Sequence, residues 1–357
     1  MSKITPFCTM IMAITFGAST HATPCPTVNP VTGTMTPSPG MMFDWVGCNL
    51  RGANFSGLTI YGCSIDQSNL SHANFTNASI QNCYISDSNL QYANFTNANL
   101  ADTGFFKWAF LGQYAGSDLS YAILTNAYVE NTDFSLTTLD GVTSGGLIGV
   151  PWDIPSRYAL INGYILGVYA NLTGADLSNQ DLSGFGLLGA NLTNANLTNS
   201  NLQNTFLYSA NLTNTNMTNV TFTQGKLNYA TLNGTILTGA NLSGTNISNA
   251  TLSGVNFTNT NLTSANLTAA SLTNIIWNNT TCIDSTDSDL HLDGSCLNPM
   301  DHDRDGLANA TDLDDDGDGT PDYIDIAPLD AGNNSEIPLQ TDGNYKGTTV
   351  RDVQAVE

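Results

Sequence analysis

The stretch "ANLTNANLTNSNLQNTFLYSANLTN", residues 190–214, places Leu at 192, 197, 202, 207 and 212, with Ala, Ser or Thr two residues before each. An amphipathic helix would repeat its apolar stripe every three to four residues and a half-buried strand every two, so a period of five belongs to neither. The period runs back through Leu187, Leu182, Leu177 and Leu172. It runs forward through Met217, Phe222, Leu227, Leu232, Leu237, Leu242, Ile247, Leu252, Phe257, Leu262, Leu267, Leu272 and Trp277. An earlier block keeps it from Leu50 through Phe55, Ile60, Ile65, Leu70, Phe75, Ile80, Ile85, Leu90, Phe95, Leu100 and Phe105 to Phe110, slips, and resumes from Leu119 to Leu139. Only 11% of the residues are charged, which argues against both a disordered polyelectrolyte and a salt-bridged helical bundle. A stack of small repeats remains, each burying its apolar residue against its neighbours, so the chain can be long without one large core.

The segments "ANLTNANLTNSNL", "GANLTGADLSNQDL" and "SHANFTNASI" resemble the units of pentapeptide repeat proteins, over roughly residues 48–282. The resemblance implies an all-β fold, a right-handed parallel β-helix of square cross-section with four pentapeptides to a coil. In that fold the central Leu or Phe and the small residue two before it point inward, and residues twenty apart stack on one face. The two blocks are out of step, because Leu139 and Leu172 are not a multiple of five apart. Residues 140–169 therefore hold a break, read as a packed insertion against the solenoid wall. Its aromatic residues Trp152, Tyr158, Tyr164 and Tyr169 either cover the interrupted core, the favoured reading, or form a ligand patch.

The resulting division is a signal peptide (1–22), an N-terminal linker or cap (23–47), repeat block 1 (48–139), an aromatic insertion (140–169) and repeat block 2 (170–282). A capping loop (283–300), an aspartate-rich segment (301–328) and a flexible tail (329–357) follow. Lys3, the apolar run after it and the Thr20-His21-Ala22 site suit export and cleavage after Ala22, so the mature chain is expected outside the cytoplasm, secreted or in a bacterial cell envelope. No later run is long and apolar enough for a transmembrane helix. Cleavage removes Cys8 and leaves six cysteines, a number suited to disulfides in an oxidising compartment. Cys48, Cys63 and Cys83 occupy small inward positions, and free buried thiols are the preferred reading there. Cys282 and Cys296 flank the end of the repeats, where a disulfide would close a capping loop.

The sequence "DHDRDGLANATDLDDDGDGTPDYID", residues 301–325, contains ten aspartates. Asp301, Asp303, Asp305, the Leu307 carbonyl, Asn309 and Asp312 fit the ligand positions of an EF-hand-like loop. Asp314, Asp316, Asp318, the Thr320 carbonyl, Asp322 and Asp325 fit the same template again. Alternate carboxylates can converge on one hard cation while Gly306 and Gly319 allow the sharp turn. The loops follow each other directly, Pro321 lies within the second, and Asp replaces Glu at the last position. The segment thus resembles calcium-binding repeats of the thrombospondin type 3 class, and calcium is the expected cofactor.

No nucleophile elbow, phosphate-binding glycine loop or zinc motif is present, so the chain is expected not to be an enzyme. Asp176 and Asp181 read as variants of the repeat Asn rather than an acid–base pair. Some pentapeptide repeat proteins resemble DNA and bind gyrase through an acidic surface. Residues 183–281 hold no Asp or Glu and only Lys226 among bases, so neither that mimicry nor nucleic-acid binding is expected. The expectation is a secreted structural or adhesive solenoid. The alternative is a specific binder of an extracellular glycan or polymer, through the aromatic insertion or through outer ladders such as Thr198, Thr218, Thr238 and Thr258, which could equally be inert; an extracellular protein or glycan is the expected kind of partner.

Overall fold

The computed structural model describes residues 23–36, 42–107 and 115–283, together with residues 285, 288 and 296. Within them there is no α-helix; short strands, bridges and turns wind β-solenoid turns, about 11 in all. The period of five is thus a solenoid period. The chain forms two compact units, up to Ile165 and from Leu166 on.

One pentapeptide explains the rest. The amide of Leu192 donates to the carbonyl of Asn211 in the next coil, and the amide of Asn211 donates back to Ala190, at 2.7 and 2.9 Å. The amide of Ala195 then closes a turn onto the Leu192 carbonyl at 2.9 Å. Inside that turn Asn194 has a φ of 59°, the left-handed value that a type II turn requires at its third residue. Asn and Gly tolerate that conformation best, which is why they recur every fifth position. Leu192, Leu197, Leu202 and most of their counterparts are fully buried, and burying each contributes about 1.5–3 kcal/mol.

The small inward position accepts Thr because its hydroxyl is satisfied. Thr205, Thr215 and Thr235 each donate to the carbonyl of Leu182, Leu192 or Leu212 at 2.8 Å. A buried hydroxyl without such a bond would cost about 1–3 kcal/mol.

In the first unit the ladder starts at Trp45, one step before Leu50, with Asp44–Val46 paired parallel to Ser64–Asp66, and that strand to Tyr84–Ser86. Phe55, Phe75 and Phe95 stack inside it, with ring centroids 4.4 and 4.6 Å apart. Residues 23–36 cover the first coil. Thr23 donates to the Asp44 carbonyl and Gly33 accepts from Asn54, at 2.8 and 2.7 Å. A side chain at Gly33 would lie 2.5 Å from the Gly52 carbonyl, so only glycine fits.

The ladder does not continue directly from Phe105 to the next rung. It leaves the coil after Phe105, forms an antiparallel pair of Phe106–Lys107 with Ala115–Gly116, and returns when Ser117 donates to the Phe105 carbonyl at 2.9 Å. The excursion lengthens the coil, so that Ser88 bonds to Ser117, 29 residues on, where other coils repeat at 20. Phe110 itself lies outside the described residues.

The bridges then continue through Thr138, Thr143, Ile148 and Asp153. Ala159–Ile161 and Tyr164–Leu166 follow as a two-stranded sheet. Their segment takes the place of a further coil. The Leu139 amide donates to the Tyr158 hydroxyl at 2.9 Å, and that hydroxyl donates to Asp140 at 2.6 Å. Ile165 donates to the Ser144 hydroxyl at 2.8 Å. Tyr158 and Ile165 join the apolar core, so this segment seals the last coil of the first unit rather than lying along a wall.

The second unit repeats with unbroken register. Asn171, Asn191, Asn211, Thr231 and Thr251 bridge in series, and Thr251–Ser253 pairs parallel with Ser271–Thr273. Phe257 and Trp277 stack at 5.1 Å near its end. Ser288 folds back there, its amide donating to the Thr280 carbonyl at 2.8 Å.

Candidate functional site

The outward side chains form a surface satisfied largely by itself. Asn196 accepts both the amide and the hydroxyl of Thr198, at 3.1 and 2.6 Å, and Asn216 does the same for Thr218. The hydroxyl protons of Thr198 and Thr218 are therefore committed to the repeat, which favours the inert reading for that half of the ladder. Between coils, Asn219 donates to Asn199 and Asn199 to Asn179, each at 3.2 Å.

Asp176 and Asp181 replace Asn in this scheme. Each accepts from the serine two residues on and from Asn196 or Asn201 of the next coil. Bonds from Ser178 and Ser183 chiefly hold both carboxyls below their ordinary range. In the first unit, Asp133 and Asp153 occupy adjacent rungs, and the Ser135 hydroxyl donates to both. Burial raises Asp133, bonds from Ser135 oppose this, and the Asp153 charge adds to it. Tyr84 is raised by burial and then by Asp133. Among the described residues no group of three or more His, Cys, Asp and Glu could hold a metal.

Six cysteines are paired. Cys25 joins Cys48, Cys63 joins Cys83 and Cys282 joins Cys296, with Cα separations of 5.5, 4.5 and 5.3 Å. The free-thiol reading of Cys48, Cys63 and Cys83 is thus corrected. Coil stacking brings the Cys63 and Cys83 Cα atoms into the disulfide range of roughly 4.4–6.8 Å, and residues 23–36 carry Cys25 onto Cys48. The calcium positions Asp301, Asp303, Asp305, Leu307, Asn309, Asp312, Asp314, Asp316, Asp318, Thr320, Asp322 and Asp325 all lie outside the described residues.

The aromatic residues of 140–169 do not share one exposed patch. Tyr158 is buried while Trp152 is 57% exposed, Tyr164 lies against Gly145, and Tyr169 lies against Gly189 in the second unit. A different aromatic group is exposed on the second unit. Phe206 and Tyr208 flank the inward Leu207 in one pentapeptide, both pointing outward, with Leu188 on the coil before and Tyr229 on the coil after. The signal was present in "TFLYS", where aromatic residues replace the Asn and Thr normal on either side of the inward Leu.

A family model described as pentapeptide repeats matches this chain in eight copies, over residues 43–71, 68–103, 170–214, 190–228, 200–239, 215–254 and 240–276. The chain thus carries pentapeptide repeats in both units. No curated protein matches it. Among solved structures it is similar to HetL of the cyanobacterium Nostoc sp. strain PCC 7120, a pentapeptide repeat protein involved in heterocyst differentiation regulation. The identity is 19%, over 69% of this chain and 90% of that one, with a TM-score of 0.27. The pentapeptide repeat protein Rfr23 of the cyanobacterium Cyanothece 51142 shares 31% identity over 30% of this chain and 87% of its own, with a TM-score of 0.29. QnrB1, a plasmid-mediated fluoroquinolone resistance protein, shares 15% over 66% of this chain and 89% of its own, with a TM-score of 0.21.

Proposed function

We infer that the chain is an exported, non-catalytic solenoid that serves as a structural or adhesive element outside the cytoplasm, with calcium held by its C-terminal aspartates. The observation that supports this most is the cysteine pairing. All six cysteines after the leader-like residues 1–22 are bonded in pairs. Disulfides of this kind persist in oxidising compartments and are rare in the cytosol. The surface is in keeping with a non-catalytic role, since among the described residues Asp176 and Asp181 serve the repeat and no nucleophile, base and pocket converge. A DNA-mimicking role finds no support in a repeat block that lacks acidic residues from 183 to 281.

Calcium enters through the two loops at 301–312 and 314–325. Their aspartates carry charge that would repel itself without a cation. An extracellular module of this kind binds with a dissociation constant on the order of 0.1–1 mM, staying loaded outside a cell. Titration of the full chain with calcium chloride in a calorimeter should give heats in that range. Asp305→Ala and Asp318→Ala should each weaken one site and leave the circular dichroism of the repeats unchanged. A chain that gives no heat with calcium, or whose variants titrate like the parent, contradicts the calcium part of this reading.

A further inference from the structure

We propose that the exposed aromatic group of the second unit, Leu188, Phe206, Tyr208 and Tyr229, is a binding platform for a neutral polysaccharide. This deepens the adhesive reading by naming the ligand class, and rests on it only in placing that ligand outside the cell.

The four side chains are 36%, 50%, 42% and 53% exposed, in a unit whose outward positions are otherwise dominated by Asn, Thr, Ser and Gly. They are contiguous. The Gly189 amide donates to the Tyr208 carbonyl at 2.8 Å, which sets Leu188 beside Tyr208 on the neighbouring coil. The rings of Tyr208 and Tyr229 lie 5.2 Å apart. Phe206 bridges Gly186 on one side and Lys226 on the other. A side chain added at Gly186, the bridge partner of Phe206 on the neighbouring coil, would meet nothing within 4 Å, so the surface beside Phe206 is open there.

Size and charge choose the occupant. Aromatic side chains present about 150–250 Å² each when fully exposed, so this half-exposed group offers roughly 400 Å². A specific protein interface needs about 800 Å² per partner, so neither a second copy nor a folded protein suits the patch alone. Nucleic acid also stacks on aromatic rings but needs a basic groove, and Lys226 is the only charge between residues 183 and 281. A sugar ring presents an apolar C–H face to an aromatic π-surface and hydroxyls around its edge. Lys226 and the Asn228 side chain, which already donates to Ser248 at 2.8 Å, supply polar groups beside the rings. The absence of fixed negative charge fits an uncharged polymer.

The test is affinity electrophoresis of the purified full chain through gels containing hydroxyethyl cellulose, barley β-glucan, galactomannan or glycol chitin, with polygalacturonate as an acidic control. At least one neutral polymer should retard the chain. Phe206→Ala and Tyr208→Ala should each weaken that affinity by about tenfold, the loss of roughly one stacked ring. Gly186→Asn, which places a side chain on the open surface beside Phe206 without a backbone clash, should weaken it too. The melting temperature of each variant should match the parent. No retardation by any neutral polymer overturns the proposal, as does equal retardation of parent and variants, or retardation by polygalacturonate alone. Concentration-dependent dimerisation abolished by Phe206→Ala would assign the patch to a second copy and overturn it likewise. Export and calcium binding are read out separately, so failure here leaves those readings standing.

Discussion

At the residue scale the repeat is governed by satisfaction of polar groups around one inward apolar side chain. Asn191 shows the outward half, its carboxamide accepting both the amide and hydroxyl of Thr193 at 3.1 and 2.6 Å. Thr205 shows the inward half, tied to a carbonyl of the preceding coil. Asp133 departs from this economy, because it places a carboxylate where Asn would serve, half-buried and one rung from Asp153. Its folded pKa is raised, so the folded state binds its proton more tightly than the unfolded chain does. Its contribution is therefore most favourable below the ordinary Asp range and is lost as pH rises through the raised value. Asp133→Asn keeps an acceptor for Ser135 and removes the charge. Thermal melts should show the variant more stable than the parent at neutral pH, with the gain shrinking to nothing in acid. A gain that does not vary with pH would place the effect elsewhere.

At the element scale the pentapeptides were legible in the sequence and their interruptions were not. Every inward residue from Leu172 to Leu262 can be read from spacing alone, because one buried column imposes one period, while Leu267 and Leu272 keep the spacing but are only partly buried. The excursion after Phe105 was hidden because Phe110 falls five residues later by coincidence, while the chain has already turned into an antiparallel pair. The seal over the first unit was hidden for another reason. Tyr158 replaces a backbone carbonyl with its own hydroxyl as acceptor for Leu139, a substitution of chemistry that periodicity does not record. Phe206 and Tyr208 were visible as residues, but their joint exposure with Leu188 and Tyr229 requires the coil register. The inward and outward assignment itself is open to a direct comparison. Leu232→Asp buries an unpaired carboxylate in the apolar column of the second unit and should destabilise it by more than about 3 kcal/mol. Thr238→Asp lies outside the column and should change stability by about 0.5 kcal/mol or less. Chemical denaturation followed by circular dichroism measures both, and equal losses would contradict the assignment.

At the scale of the whole molecule, charge and cross-links are segregated. The chain carries a net charge of −22, yet half of its 30 acidic residues fall between 284 and 330, and none between 183 and 281. The repeats need no charge because their ladders are held by stacked apolar residues and coil-to-coil hydrogen bonds. The disulfides stand near the termini of this arrangement: Cys25–Cys48 ties residues 23–36 to the first coil, and Cys63–Cys83 joins the next two coils. Cys282–Cys296 fastens the chain leaving the last coil. In the chain-entropy picture each closes a loop worth about 3 kcal/mol. The export reading rests chiefly on this pairing. The most direct measurement is mass spectrometry of the protein isolated from its own host, digested without reduction, reading its N-terminus and its cross-linked peptides together. The account predicts a chain beginning at Thr23 with Cys25–Cys48, Cys63–Cys83 and Cys282–Cys296 peptides; a chain that retains its first 22 residues with these six thiols free would contradict it.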